Sequence, residues 1–222
     1  TVAGYDGEED VNAISLEPEQ NTNKDLKQNP SYATLDRKQS SGSAPSGIIS
    51  NSNHIMQAVK FKGRPKAEAK RKELLKTLKN NISSHGRYSL KVAEALKELG
   101  MFHETCGQCD ISLTLYQESL DVYSSKLGDH DSNVTDLQMR LGKVNEMLGN
   151  ENEALQWYAL ALHMVVDMSG NFDLTACDIR VSMSKIIHSK DFHKEAVKEL
   201  KKALKGYRDY HGDEHESVAE TV

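Results

Sequence analysis

Four glycines, Gly86, Gly128, Gly170 and Gly212, stand 42 residues apart at every step. A fixed period of this length marks an array built from one small supersecondary unit. The columns between the glycines agree as well. Leu99-Gly100 returns as Leu141-Gly142 and, more loosely, as Met183-Ser184. Ser112 aligns with Ala154 and Ala196, Tyr116 with Tyr158 and Leu200, and Tyr123 with Val165 and Tyr207. Ser119-Leu120 aligns with Ala161-Leu162 and Ala203-Leu204. The chain must therefore adopt a fold that repeats itself over 86–127, 128–169 and 170–211, and 86–222 reads as three units plus the start of a fourth.

Each unit divides into two helices. The first half of the first unit places apolar residues at Val92, Ala95, Leu99, Phe102 and Cys106. The second unit repeats them as Val134, Leu137, Leu141, Val144 and Leu148, and the third as Ala176, Ile179, Met183 and Ile186. Alternating steps of three and four residues make one stripe on an α-helix. A polar turn follows around Gly107, Gly149 and Asp191, and a second helix then runs to the next repeat glycine. Its stripe in the second unit is Leu155, Tyr158, Leu162 and Val165. Helix-ending glycines suit the residue that needs a positive φ. A helical hairpin cannot bury both faces alone, whereas stacked hairpins can. The expected fold is all-α, a right-handed α-α superhelix.

The pattern Leu-Gly, then Ala, then Tyr, then Ala-Leu resembles the tetratricopeptide repeat. The 42-residue period is similar to the longer-helix repeats of kinesin light chains. Leu127-Gly-Asp-His130 and Gly212-Asp-Glu-His-Glu-Ser-Val-Ala219 resemble the Leu-Gly-x-x-His-Pro-x-Val-Ala opening of those repeats. No Pro follows the His, and the column that carries Asn in kinesin light chains holds Lys97, Met139 and Val181. The resemblance implies a peptide-binding groove lined by the first helices. Carried over column by column, it names Glu94, Lys97 and Met101 in the first unit. It names Asp136, Met139, Lys143 and Glu146 in the second, and Asp178, Val181, Lys185 and His188 in the third. Glu94, Asp136 and Asp178 form an acidic rail, Lys143 and Lys185 beside Met101 a basic one, with Met139 and Val181 between. The expected function is protein binding in a scaffold or adaptor, without catalysis and without a cofactor, the ligand being a segment of mixed charge with an apolar anchor. The alternative is a solvated helix face whose repetition follows from duplication.

The remainder of the chain is of another kind. Residues 1–53 are rich in Asn, Ser, Gln, Glu and Gly and poor in apolar side chains, so burial cannot offset the cost of ordering them. A disordered arm is expected there. Residues 54–85 then read as a basic linker and a degenerate half-repeat or capping helix, with Leu74 and Leu78 in second-helix columns. Residues 60–79 hold nine basic and two acidic side chains in a chain of net charge -5. They could bind nucleic acid or an anionic membrane, but no aromatic residues are interleaved for base stacking, and a solvated helix face is the simpler account. Cys106-Gly-Gln-Cys109 allows a redox pair, although a helix rather than a strand precedes it. With His103 it also makes a metal half-site that lacks partners at zinc spacing. Three cysteines form no even framework; one disulfide with one thiol is conceivable, and a reducing, cytoplasmic compartment is the simpler expectation, the nucleus being the other. No nucleophile-base arrangement or phosphate loop is present in the sequence, and no apolar run is long enough to span a membrane. The chain lacks an initiator Met and stops inside the first helix of a fourth unit, so the native protein is expected to continue.

Overall fold

The computed structural model describes residues 65–212 and 216–221. The expected arm over residues 1–53, and residues 54–64 of the basic linker, lie outside them. Every regular element among the described residues is a helix: α1 Pro65–His85, α2 Leu90–Thr105, α3 Cys109–Leu127, α4 Ser132–Met147, α5 Glu151–Ser169, α6 Leu174–Ser189, α7 His193–His211 and α8 Glu216–Thr221. Each packs on the next in the chain, as a solenoid of hairpins requires.

The period is written into the helix ends. Ser89, Asp131 and Asp173, one per unit, cap α2, α4 and α6. The carboxylates of Asp131 and Asp173 accept the amides of Asn133 and Thr175 at 2.9 and 2.8 Å. These side chains satisfy donors that a helix start leaves unpaired. The cap at the second junction is Asp131. The repeat glycines close α3, α5 and α7 with φ of 82°, 94° and 80° and ψ of 170°, 171° and 171°. The positive φ is the one expected of helix-ending glycines, and with this ψ the backbone lies in a region essentially confined to glycine.

The hydrophobic stripes are buried as their spacing implied, with Val134, Leu137, Leu141 and Val144 all at 0% exposure. Cys106 departs from this. It is the residue that caps the end of α2 and is exposed, while Cys109, the first residue of α3, is buried. The stripe ends with the helix, so its next position points out of the turn. The core is divided among neighbours. Leu74, Leu78, Leu96, Leu99 and Leu115 join α1, α2 and α3. Tyr116, Leu120, Tyr123, Leu137 and Leu141 join α3 and α4, with Trp157 of α5 against them. Cys177, Ala203, Tyr207 and Val218 join α6, α7 and α8.

The Leu-Gly column has a steric cause. A Cβ on Gly142 would stand 2.7 Å from Cδ1 and Cε1 of Tyr158, and one on Gly100 would stand 2.6 Å from Cε1 of Tyr116. In the third unit the same columns hold Ser184 and Leu200, a larger residue against a smaller one. Gly142→Ser is therefore expected to lower stability by about 1–3 kcal/mol through overpacking. Adding Tyr158→Leu should recover part of that loss, although Tyr158→Leu alone opens space. Chemical denaturation of the single and double variants checks this; a double variant as weak as the sum of the two singles would contradict it.

Candidate functional site

The residues expected to line a groove lie on α2, α4 and α6, the first helices of the three units. Between α2 and α4 they are drawn into one ionic network. Lys97 donates to Asn133 Oδ1 at 3.1 Å and lies 3.4 Å from Asp136 Oδ2. Asp136 also accepts from Arg140 Nε, at 3.1 and 3.2 Å to its two oxygens. Arg140 reaches on to Glu104 at 3.7 Å, and Lys143 Nζ lies 2.7 Å from the other Glu104 oxygen. Beneath them the Tyr116 hydroxyl donates to Glu104 at 2.7 Å.

Glu104 is the hub of this network. Its burial works to raise its acid, but the hydrogen bonds from Lys143 and Tyr116 and the charges of Lys143 and Arg140 outweigh that and hold it below the usual carboxylate range. Tyr116 is pushed up, first by burial and then by Glu104. Sequence reasoning named neither Glu104 nor Arg140. The signal was present: Glu104 and Glu146 stand one period apart, as do Tyr116 and Tyr158. The second unit repeats the contact, with Tyr158 donating to Glu146 at 2.9 Å.

Glu94 is exposed and pairs with Lys91 at 3.5 Å. Asp178, also exposed, accepts a short hydrogen bond from the Tyr207 hydroxyl. Met101 and Lys185 are exposed, while Met139 and Val181 are half-buried, Val181 against the core of α6 and α7. His188 is exposed, with its Nδ1 3.0 Å from that of His193. Two members of the acidic column, Glu94 and Asp136, are thus engaged by lysines or arginine, and Lys143 is engaged by Glu104. Lys185 has no hydrogen-bond or ionic partner among the described residues.

All three cysteines are free thiols. His103 is buried, and its Nδ1 lies 2.7 Å from Gln108 Oε1, an acceptor that holds the ring proton on that nitrogen. Burial, and more weakly Arg71, make the ring harder to protonate. Among the described residues no group of three or more His, Cys, Asp or Glu side chains converges as metal ligands. Of the basic stretch, residues 65–79 belong to α1, where Arg71 is buried and Lys66, Lys70, Lys72, Lys76 and Lys79 are exposed. No described helix is long and apolar enough to cross a membrane.

Comparison with known proteins places this arrangement. The family model "Tetratricopeptide repeat" matches residues 91–164. No curated protein sequence matches the chain. Among solved structures, two crystal structures of a Podosopora anserina protein named for kinesin light chain, with nearly identical TPR-like repeats, are similar in fold. One, a substituted variant, is 11% identical, covers 78% of this chain and 79% of its own, and superposes with a TM-score of 0.63. The other is 11% identical, covers 79% and 83%, and gives 0.62. BtubC (BKLC) from P. vanneervenii is 17% identical with a TM-score of 0.57; 70% of this chain is covered, and it spans 62% of that one. At such identities the likeness is one of fold. The tetratricopeptide match thus falls on α2–α5, and the hairpin of α6 and α7 shares with these light-chain repeats the same fold of stacked helices.

Proposed function

We propose that the chain is a non-catalytic scaffold or adaptor that binds peptide segments of protein partners along the face shared by α2, α4 and α6. Repeats of this fold generally serve protein–protein interaction and are typically non-catalytic. One observation carries the reading beyond the family. Lys185 stands exposed with no hydrogen-bond or ionic partner among the described residues, one turn from the half-buried Val181 on the same helix, and Met139 holds the column of Val181 in α4. The helix stack does not need that lysine, and it supplies a charge beside an apolar anchor point. The partner segment carries an acidic group for Lys185 and an apolar side chain for Met139 and Val181. The working compartment in this reading is the cytoplasm or nucleus.

The test begins with affinity capture by the full chain and identification of the partner. The captured partner is then titrated against the wild type and Lys185→Glu. The expected result is roughly tenfold weaker binding with an unchanged melting temperature. Lys143→Glu is unsuitable as the companion change, because it would set a second carboxylate against the buried Glu104 and disturb the stack. Binding that survives Lys185→Glu but is lost on changing Gln156 and Lys198 of the second helices would remove the site from this face.

A further inference from the structure

Helix α7 carries six basic and three acidic side chains. Five of the basic ones, Lys194, Lys198, Lys201, Lys205 and Arg208, follow each other at steps of four, three, four and three residues, and all five are exposed. Such steps place them in one row along the helix, about 21 Å long at 1.5 Å per residue. The opposite side of α7 is committed to the core through Ala196, Ala203, Gly206 and Tyr207.

Duplication does not explain the row. The same five columns read Asp110, Thr114, Gln117, Asp121 and Ser124 in α3, and Asn152, Gln156, Ala159, His163 and Val166 in α5. Neighbouring like charges on a helix repel, at about 0.2–0.5 kcal/mol per pair. Lys194, Lys198 and Lys201 have no hydrogen-bond or ionic partner among the described residues. Glu199, the nearest carboxylate in sequence to Lys198 and Lys201, is occupied by Arg180 and Lys202. Lys205 lies over the Phe172 ring, 4.6 Å from its centroid.

The chemistry of the row selects its partner. The apolar side of α7 is packed inside the protein, so the helix cannot insert into a bilayer interface as a free amphipathic helix does. The row contains no aromatic side chain on which a base could stack. Four of its five cations are lysines, point charges rather than the forked guanidinium suited to phosphate. A straight row of helical period is matched best by carboxylates repeated with the same period. We propose that the outer face of α7 docks an acidic α-helix of a protein partner, with Asp or Glu at the same four-three-four-three steps. This surface is separate from the α2, α4 and α6 face and does not depend on it.

The full chain is titrated with four probes: a helical peptide of about 20 residues with Glu at those steps, the same composition scrambled, a duplex DNA of similar length, and vesicles containing phosphatidylserine. The patterned peptide is expected to bind, roughly tenfold more weakly on raising salt from low to several hundred millimolar. The triple variant Lys194→Glu/Lys198→Glu/Lys201→Glu should lower its affinity by a similar factor, with an unchanged circular dichroism spectrum, whereas Lys185→Glu should leave it unaltered. Equal binding of the scrambled peptide overturns the helical match. DNA or vesicles that bind as tightly, with the same loss in the triple variant, overturn the choice of partner. No binding of the patterned peptide, or binding indifferent to the triple variant, overturns the site.

Discussion

Leu141→Ala should destabilise the protein by about 2–5 kcal/mol, because it removes a side chain at 0% exposure and leaves a cavity that helices α3 and α4 cannot close. The loss is expected to spread unevenly. Leu141 shares its core with Ala93, Tyr116, Leu120 and Tyr123 of the first unit, whereas the core around Cys177, Ala203 and Tyr207 is built from later helices. Stability in such an array is a sum of unit and interface contributions. Amide hydrogen exchange should therefore accelerate in α2–α4 before it accelerates in α6 and α7. A uniform acceleration, or an unchanged melting temperature, would contradict this division of the core.

Glu118→Gln is expected to act in the opposite direction. Glu118 is 4% exposed, and its Oε1 has no hydrogen-bond partner among the described residues. Burial first, and then the neighbouring Asp121 carboxylate, push its acid from an ordinary 4.5 up to about 7, against a smaller pull from Arg87. Between these values the folded state binds more protons than the unfolded chain, so this group makes stability fall as pH rises through the window and keeps it reduced above. The amide carries no charge at any pH. Its gain should be on the order of 2–3 kcal/mol at pH 8 and should vanish near pH 4.5. Melting curves of the two proteins across this range measure it; a difference independent of pH would place its cause outside the carboxylate.

The architecture was legible because it is over-specified. The same period sets the caps at Ser89, Asp131 and Asp173, the stripes through Leu99, Leu141 and Met183, and the glycines that end α3, α5 and α7. Errors fell where the period ends rather than where it runs. Cys106 continues the numerical stripe, yet the helix has already stopped, so the cysteine faces solvent. The repeat glycines carry the positive φ their position implies; which ψ accompanies it is not written in the sequence.

The surface was less legible, because pairing depends on reach across helices. Asp136 belongs to an acidic column in sequence, but in space it lies between Lys97 and Arg140. Glu104 sits one residue past the buried His103, near the end of α2, and nothing in its local pattern shows that Lys143, Arg140 and Tyr116 meet there. The Lys row of α7 needs only the helical steps to be seen in sequence. Aligned columns bring out what the units share, however, and hide what one unit has alone.

The junction glycines have one more consequence. A side-chain carbon added at Gly128 or Gly170 would meet nothing within 4 Å, so neighbouring units are joined there by backbone geometry and not by an interlocked side chain. Each block from one such glycine to the next brings its own cap, its own turn and the apolar surfaces that its neighbours complete. A gene segment encoding residues 128–169 is thus close to an interchangeable part. Copying it would repeat the backbone junction, but the helices meeting across it would carry a new pairing, since Met139 would stand where Lys97 now reaches Asp136. The surfaces that differ between copies, such as the outer row of α7, are then where descendants of one unit acquire separate identities.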